Sequence, residues 1–400
     1  MARRPARQTR ERQARGRSRV GERFTAVVGP VAHGGHFVVR LPGPPENPGE
    51  SRVVFTRHAL PGEEVVVEIT EGTEGDRFWR GDAVQVLTAS PDRVTPPCPY
   101  AGPGLCGGCD FQHVALPAQR ELKASVVREQ LVRLGGFSAD DPLVSGLTVA
   151  PVPGDVDGLG WRTRVEFATT SDGRRGMRRH RSHDVIPVDR CLIAADDARD
   201  VTAADPSETV VETVDERSFA LSATGFWQVH PGAAPTLVGT VMEMLAPRPG
   251  ESAMDLYAGV GLFARFLAEA VGPTGSVLAV EADRQACEYA EENLAGLTAT
   301  RVECGPVERV LGVLDSPPAD LVVLDPPREG ARRKVVEQIV SSAPRAVAYV
   351  ACDPAALARD LKIFAEHGYR TTAVRAFDLF PMTSHVECVA LLGKTGADLR

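Results

Sequence analysis

The sequence predicts an α/β chain: a Rossmann-like, doubly wound parallel-sheet domain on the carboxyl side, preceded by a small β-barrel and a cysteine-containing α+β middle segment. Three observations predict it. From about residue 216 short apolar runs alternate with stretches of helical periodicity; from about 21 to 90 short β-rich runs alternate with glycine and proline turns; and between them lies a loop dense in glycine, proline and cysteine. The 400 residues, 43% hydrophobic and 24% charged, suffice for two or three domains with a sizeable core. No apolar run approaches a membrane span and no signal-peptide core follows the basic amino terminus, so a soluble, cytoplasmic protein is expected.

The net charge of −8 conceals an asymmetry, because residues 1–23 carry nine arginines against two glutamates and Arg174–His183 is again strongly basic. An acidic body with two basic segments suits a polyanionic partner engaged at one surface. Eight cysteines in a chain this long, without secretion signals, do not suggest a disulfide framework; their spacing suggests metal and chemistry.

Taken in order, residues 1–20 are arginine-rich without apolar periodicity and are expected to form a disordered tail, either touching nucleic acid or merely solvated. Residues 21–90 carry the barrel: Phe24–Val28, Phe37–Arg40, Arg52–Phe55, Glu64–Ile69 and Ala83–Leu87, with turns at Gly34-Gly35 and Pro61-Gly62-Glu63. In the middle segment, 91–215, Cys98, Cys106 and Cys109 lie in one loop and Cys191 far downstream. Four thiolates of this kind can converge on an iron–sulfur cluster or a structural zinc, and ligand softness does not separate the two. Residues 116–134 read as an amphipathic helix ending at Gly135-Gly136. The run Arg174–His183 fits phosphate contacts as well as a solvated hairpin tip, and Trp161 is a candidate stacking face.

In the last segment, 216–400, Ala253–Phe263 reads as strand, glycine turn and helix, and Val277–Glu281 as a second strand ending in an acid. Close backbone approach at Gly259 and Gly261, with Asp255 before the turn and a carboxylate about twenty residues on at Glu281, is nucleoside-binding logic. Phe263 and Ala264 stand where a dinucleotide fingerprint has its third glycine, so the pattern resembles S-adenosylmethionine sites more closely. A third strand, Leu321–Leu324, delivers Asp325-Pro326-Pro327-Arg328 to the same sheet edge. A fourth, Ala346–Ala351, is apolar throughout and ends in Cys352-Asp353-Pro354. Asp353 is the expected N-cap and Pro354 the first residue of the next helix, whose dipole favours a thiolate at Cys352. On local grounds alone a small buried thiol is the commoner reading. The run Phe377–Leu392 closes the chain, with Glu387 near the start of a last strand.

In combination these motifs resemble the RNA 5-methyluridine (uracil-C5) methyltransferase family, in its cluster-containing ribosomal-RNA-type branch with a TRAM-like OB-type barrel. The resemblance covers nearly all of residues 20–395. It rests on Phe226-Trp227-Gln228-Val229-His230, Asp-Pro-Pro-Arg, Val-Ala-Cys-Asp-Pro and Phe-Pro-Met-Thr-Ser-His-Val-Glu in the family's order. It implies a class I methyltransferase domain, S-adenosyl-L-methionine as methyl donor, one [4Fe-4S] cluster on Cys98, Cys106, Cys109 and Cys191 with zinc as runner-up, and a structured RNA with an extrudable uridine as partner of a monomer. Carbon 5 of uracil is a poor nucleophile, so a thiolate must first add to carbon 6; Cys352 fits that role. Asp325 would sit at the imide edge of the base and Glu387, by resemblance, would take the carbon 5 proton. Gln228, Tyr257 and Glu281 match the family's cofactor contacts.

The chain departs from the pattern at His230, where the family has asparagine, at Ala351 and Asp353, where serine and asparagine are usual, and in a longer Cys98–Cys106 spacing. Asp353 would oppose ionisation of its neighbour Cys352. Two other functions are compatible with parts of the chain. An amino methyltransferase also uses an acidic-Pro-Pro motif, but needs no thiolate and carries an aromatic residue where Arg328 stands. An RNA-binding cluster protein with an inactive methyltransferase domain would tolerate His230 and Asp353, and turnover of labelled S-adenosylmethionine on bulk RNA would exclude it.

Overall fold

The computed structural model describes residues 16–42, 51–297 and 300–394. They form two compact units, one reaching Val94 and one starting at Thr95. In the first, strands β1 (Arg23–Ala32), β2 (His36–Leu41), β3 (Arg52–Arg57), β4 (Glu64–Glu71) and β5 (Phe78–Thr88) close a barrel in the order β1-β2-β3-β5-β4. Closure follows from alternation: Val65, Val67 and Ile69 of β4 point inward and are buried, while Glu64 and Glu68 face out. Residues 1–15 of the expected basic tail lie outside the described residues. Its last part is not a tail, because Arg17 and Arg19 pair with Glu22 at 3.1 and 2.8 Å and Ser18 bridges to Thr73 on the barrel.

The second unit begins with the cysteine loop and α1 (Leu116–Gln130), which runs on as a single π-type turn, Leu131–Gly135, and stops at Gly136 in a left-handed conformation (φ 77°). Then come α2 (Pro142–Ser145), β6 (Val149–Ala150), β7 (Arg162–Val165), β8 (Ala168–Thr169), β9 (Arg175–Arg178), β10 (Val185–Pro187), β11 (Ala194–Asp200), β12 (Thr209–Val214) and β13 (Arg217–Ser222). The expected change of domain near residue 216 falls inside the β12–β13 hairpin, where Val214 pairs with Arg217.

Alternating elements follow: α3 (Ala233–Leu245), β14 (Ser252–Leu256), α4 (Leu262–Val271), β15 (Ser276–Glu281), α5 (Arg284–Asn293), β16 (Thr300–Cys304), α6 (Val307–Val313), β17 (Leu321–Leu324), α7 (Arg332–Ser341), β18 (Ala346–Ala351), α8 (Pro354–Glu366), β19 (Tyr369–Phe377) and β20 (Glu387–Lys394). The sheet order is β16-β15-β14-β17-β18-β20-β19-β6; β14 to β18 are parallel and β20 runs antiparallel between β18 and β19. All of β17 and β18 is buried, as two-sided coverage by helices requires of an apolar strand. Strand order reverses between β14 and β17, which opens a ligand crevice at their carboxyl ends. Strand β6 comes from the middle segment yet pairs with β19 at the sheet edge (Val149 with Ala376), so the middle segment and the sheet are built as one body. Among the described residues no helix is long and apolar enough to cross a membrane.

One cysteine pair departs from expectation. Cys287 of α5 and Cys304 of β16 are joined as a disulfide, their Cα atoms 5.9 Å apart, beside the end of β15. The strand register explains the proximity: Cys304 lies directly opposite Glu281, and α5 returns over the same strand end.

Candidate active site

A cavity of about 1150 Å³ opens at the carboxyl ends of β14, β15, β17 and β18. Its walls include Gln228, Tyr257, Gly259, Glu281, Asp325, Cys352 and Glu387, so seven of the residues singled out in the sequence meet in one place. The glycine turn is held by two carboxylates with different tasks. Asp255, fully buried, accepts a hydrogen bond from the Ala264 N–H at 2.7 Å and faces away from the cavity; burial pushes its pKa up to about 7. Glu281 accepts from Gly259 N–H at 2.9 Å and from Ala282 and Asp283 N–H at 2.6 and 2.7 Å, which turns its carboxylate toward the loop. Tyr257 and Gly259 both have positive φ, 65° and 55°, and Gly261 (φ 90°) precedes α4. A non-glycine residue in the left-handed region is strained, and such strain collects at ligand sites. Asp255 and Gly261 therefore shape the turn from behind, while Tyr257, Gly259 and Glu281 face the cavity.

Opposite, Cys352 leaves β18 at the mouth of α8. Asp353 caps that helix, accepting from Ala356 N–H at 2.8 Å, with Pro354 in its first turn. The helix dipole does not prevail at the thiol. Burial comes first, then the charges of Glu387 and Asp325, in pushing Cys352 up to about 12; Arg328 opposes them and Asp353 adds a lesser contribution. The carboxyls of Glu387 and Asp325 matter more to the thiol than its chain neighbour Asp353 does. Those carboxyls share one buried environment: desolvation raises Asp325 to about 7 and raises Glu387 well above the usual carboxylate range, with Asp325 adding to the latter.

Several wall residues had no role assigned from sequence. Arg328, two residues past Pro326, approaches His385 (Nη2 to Nε2, 3.5 Å), and Phe380 and Thr383 line the same wall as His385 and Glu387. The readable signal was the polar run Thr383-Ser384-His385, separated from Glu387 by Val386 alone. Trp161, the candidate stacking face, lines the cavity but is 4% exposed; it donates its indole N–H to Gly158 O and stacks on His230. His230 lies behind the cavity and accepts from Gly232 N–H at 3.0 Å through Nδ1.

A second cavity, of about 350 Å³, is lined by Cys98, Cys106, Cys109 and Cys191 together with Arg162, Arg178, Arg179, Arg181 and Arg190. None of the four is joined in a disulfide. Among the described residues, though, no three metal-ligating side chains close on a single point as one ion would require. Burial drives Cys109 up to about 12, Gln112 counteracts, and the neighbouring sulfurs add to the rise. Gly107 packs against the His180 backbone, where a Cβ would come within 2.6 Å, so this loop position needs glycine. Gly108 and Arg162 line both cavities.

The fold and the glycine turn define a class I methyltransferase, and comparison with known proteins narrows the class. The family profile of tRNA (Uracil-5-)-methyltransferases matches residues 297–395, that of the TRAM domain matches 17–84, and that of protein-L-isoaspartate(D-aspartate) O-methyltransferases matches 190–341. An uncharacterized RNA methyltransferase of Streptomyces coelicolor is 45% identical over 94% of this chain and 93% of its own; one of Streptomyces avermitilis is 46% identical over 93% and 98%. One of Bifidobacterium longum is 37% identical over 86% and 92%. The crystal structure of Pyrococcus abyssi tRNA (uracil-54, C5)-methyltransferase in complex with S-adenosyl-L-homocysteine has the same fold, with a TM-score of 0.66 at 23% identity over 92% of this chain and all of that one. The chain belongs to the RNA (uracil-5-)-methyltransferase family, S-adenosylmethionine-dependent enzymes, and carries an N-terminal TRAM domain.

Proposed function

We propose that the enzyme methylates carbon 5 of one uridine in ribosomal RNA through a covalent bond between Cys352 and the base. The observation that carries this reading is the meeting of Cys352, Asp325 and Glu387 in the cavity that also holds Gln228, Tyr257 and Glu281. A nitrogen methyltransferase would have no use for a thiol there. When bound, S-adenosylmethionine supplies the methyl group and a positive charge, which favours the ionised forms of Cys352 and Glu387. Glu281 and Gln228 would orient it at the ribose and methionine ends, with Tyr257 and Gly259 shaping its bed.

Cys352 releases its proton to solvent and its sulfur bonds carbon 6, moving the double-bond pair to an enolate. Asp325 holds the imide edge of the ring, which separates uracil from cytosine. Carbon 5 then takes the methyl group as the carbon–sulfur bond of the donor breaks. Glu387 removes the carbon 5 proton, the double bond re-forms, and the bond to Cys352 breaks. The uridine must leave its stack to enter, at a cost of a few kcal/mol that is least in a loop.

The middle segment, together with the barrel, is the proposed RNA-binding part, with the arginines of the cysteine cavity near phosphates. Its four thiols suit a [4Fe-4S] cluster as a donor set. They line one cavity, and a structural zinc is the runner-up. Cys98, Cys106, Cys109 and Cys191 would be its ligands, and their presence supports the ribosomal over the transfer-RNA branch.

The test uses 5-fluorouridine-substituted RNA. Wild-type enzyme should form a denaturant-stable adduct, Cys352→Ala should form none and lose all methylation while still binding S-adenosylmethionine, and 5-methyluridine mapping should place the product in ribosomal RNA. Methyl transfer surviving in Cys352→Ala would sink the mechanism.

A further inference from the structure

The segment 378–386 leads into Glu387, the first residue of β20, as an irregular loop with Met382 in the left-handed region (φ 65°), so groups outside the strand pairing must hold it. Such a conformation persists in a non-glycine residue only where its surroundings over-determine it. The holding groups come from the stretch just after Cys109, more than 250 positions away in sequence. Asp110 accepts from Ser384 through both its N–H (3.3 Å) and its hydroxyl (2.9 Å). Phe111 N–H donates to Met382 O at 2.9 Å, and Gln119 accepts from Met382 N–H at 2.8 Å. Lys123, fully buried, pairs with the buried Asp378 and donates to Phe380 O at 3.0 Å. Positions 378, 380, 382 and 384 are thus each tied to the cysteine-loop stretch, while the side chains of Phe380, Thr383, His385 and Glu387 face the cavity.

We propose that Asp110 is a positioning residue for the reaction: by holding Ser384, three residues before Glu387, it fixes the cavity wall that carries the base. The assignment rests on the reading of Cys352 and Glu387 given above. The stretch after the cysteine loop thereby acts on the cavity wall through Ser384, in addition to any contact with RNA. The step most sensitive to this wall is removal of the carbon 5 proton, since a base displaced by about 1 Å loses rate steeply. A loosened wall should therefore let the adduct form and delay its release.

Asp110→Ala, Asp110→Asn and Ser384→Ala separate this from a structural role. On unmodified substrate RNA, Asp110→Ala should lower kcat about tenfold with KM for RNA within about twofold, and the covalent protein–RNA adduct should build up during turnover. Asp110→Asn, whose amide oxygen still accepts from Ser384, should recover most of the rate; Ser384→Ala should resemble Asp110→Ala, and the double variant should be no worse than either alone. Unchanged kcat in Asp110→Ala, or a fall that tracks folded fraction without adduct build-up, would overturn the proposal while leaving the mechanism intact. Failure of the wild-type enzyme to form the 5-fluorouridine adduct would overturn both.

Discussion

Two thiol-lined cavities share a wall at Gly108 and Arg162, and their charge settings are opposite. Around Cys352 burial, and after it the carboxyls of Glu387 and Asp325, push the sulfur's pKa up to about 12. Around Cys98, Cys106, Cys109 and Cys191 the wall carries five arginines, a setting that would suit the proposed cluster. The same residue type thus stands beside carboxyls in one cavity and beside arginines in the other.

Removing one proposed cluster ligand probes this contrast most severely. Cys109→Ser should lower bound iron and acid-labile sulfide at least tenfold in protein purified without oxygen, and bleach its visible absorption. A wild-type protein holding zinc and no sulfide would move the reading to a structural zinc. Absence of any metal from the wild type would break the comparison.

The other half is tested by pH. A thiol raised to about 12 is a small minority thiolate at neutral pH, and the thiolate is the alkylated species. In the free enzyme, alkylation of Cys352 by iodoacetamide, followed by peptide mapping, should rise about tenfold per pH unit from 7 to 9.5 without levelling, where an ordinary cysteine bends over near about 8.5. A plateau near about 8.5 would show that burial and the carboxyl pair do not govern the sulfur.

Much of the reaction cavity was readable in sequence because class I sheets deliver their ligand residues at the ends of consecutive strands. A polar residue after an apolar run, as at Glu281, Asp325 and Cys352, has only one place to go. The glycine turn was readable for the same reason, although the sequence did not separate Asp255, which pins the turn from behind, from Tyr257, which faces the cavity. What escaped depends on contacts between distant stretches. The grip of Asp110 on Ser384 spans 274 positions and that of Lys123 on Asp378 spans 255, and neither leaves any periodicity. The addition of β6 to the sheet edge rests on two residues, too few for a pattern, and the Cys287–Cys304 pairing needed the register of β15 against β16. The expectation that the α8 dipole favours a thiolate failed because a dipole acts weakly against burial and two nearby carboxyls.

The smallest expected effect concerns a residue at which the sequence departs from the family's asparagine, two positions from Gln228. His230 is 2% exposed, stacked on Trp161 with ring centroids 5.8 Å apart, and its Nε2 has no hydrogen-bond partner. It sits behind the wall that Gln228 faces, so His230→Asn should leave KM for S-adenosylmethionine within about threefold. The asparagine oxygen can still accept from Gly232 N–H, and the loss is the ring contact, about 1 kcal/mol. Burial lowers the His230 pKa below its usual value, which means the folded state resists a proton that the unfolded chain accepts near pH 6.5. Stability tied to this neutral histidine is present above that pH and lost as pH falls through it. Asparagine has no such dependence, so the stability gap between wild type and His230→Asn, read by urea unfolding, should narrow between pH 7.5 and 5.5. A KM raised tenfold or more would instead put position 230 in contact with the cofactor, and with it the departure from the family's asparagine into the chemistry.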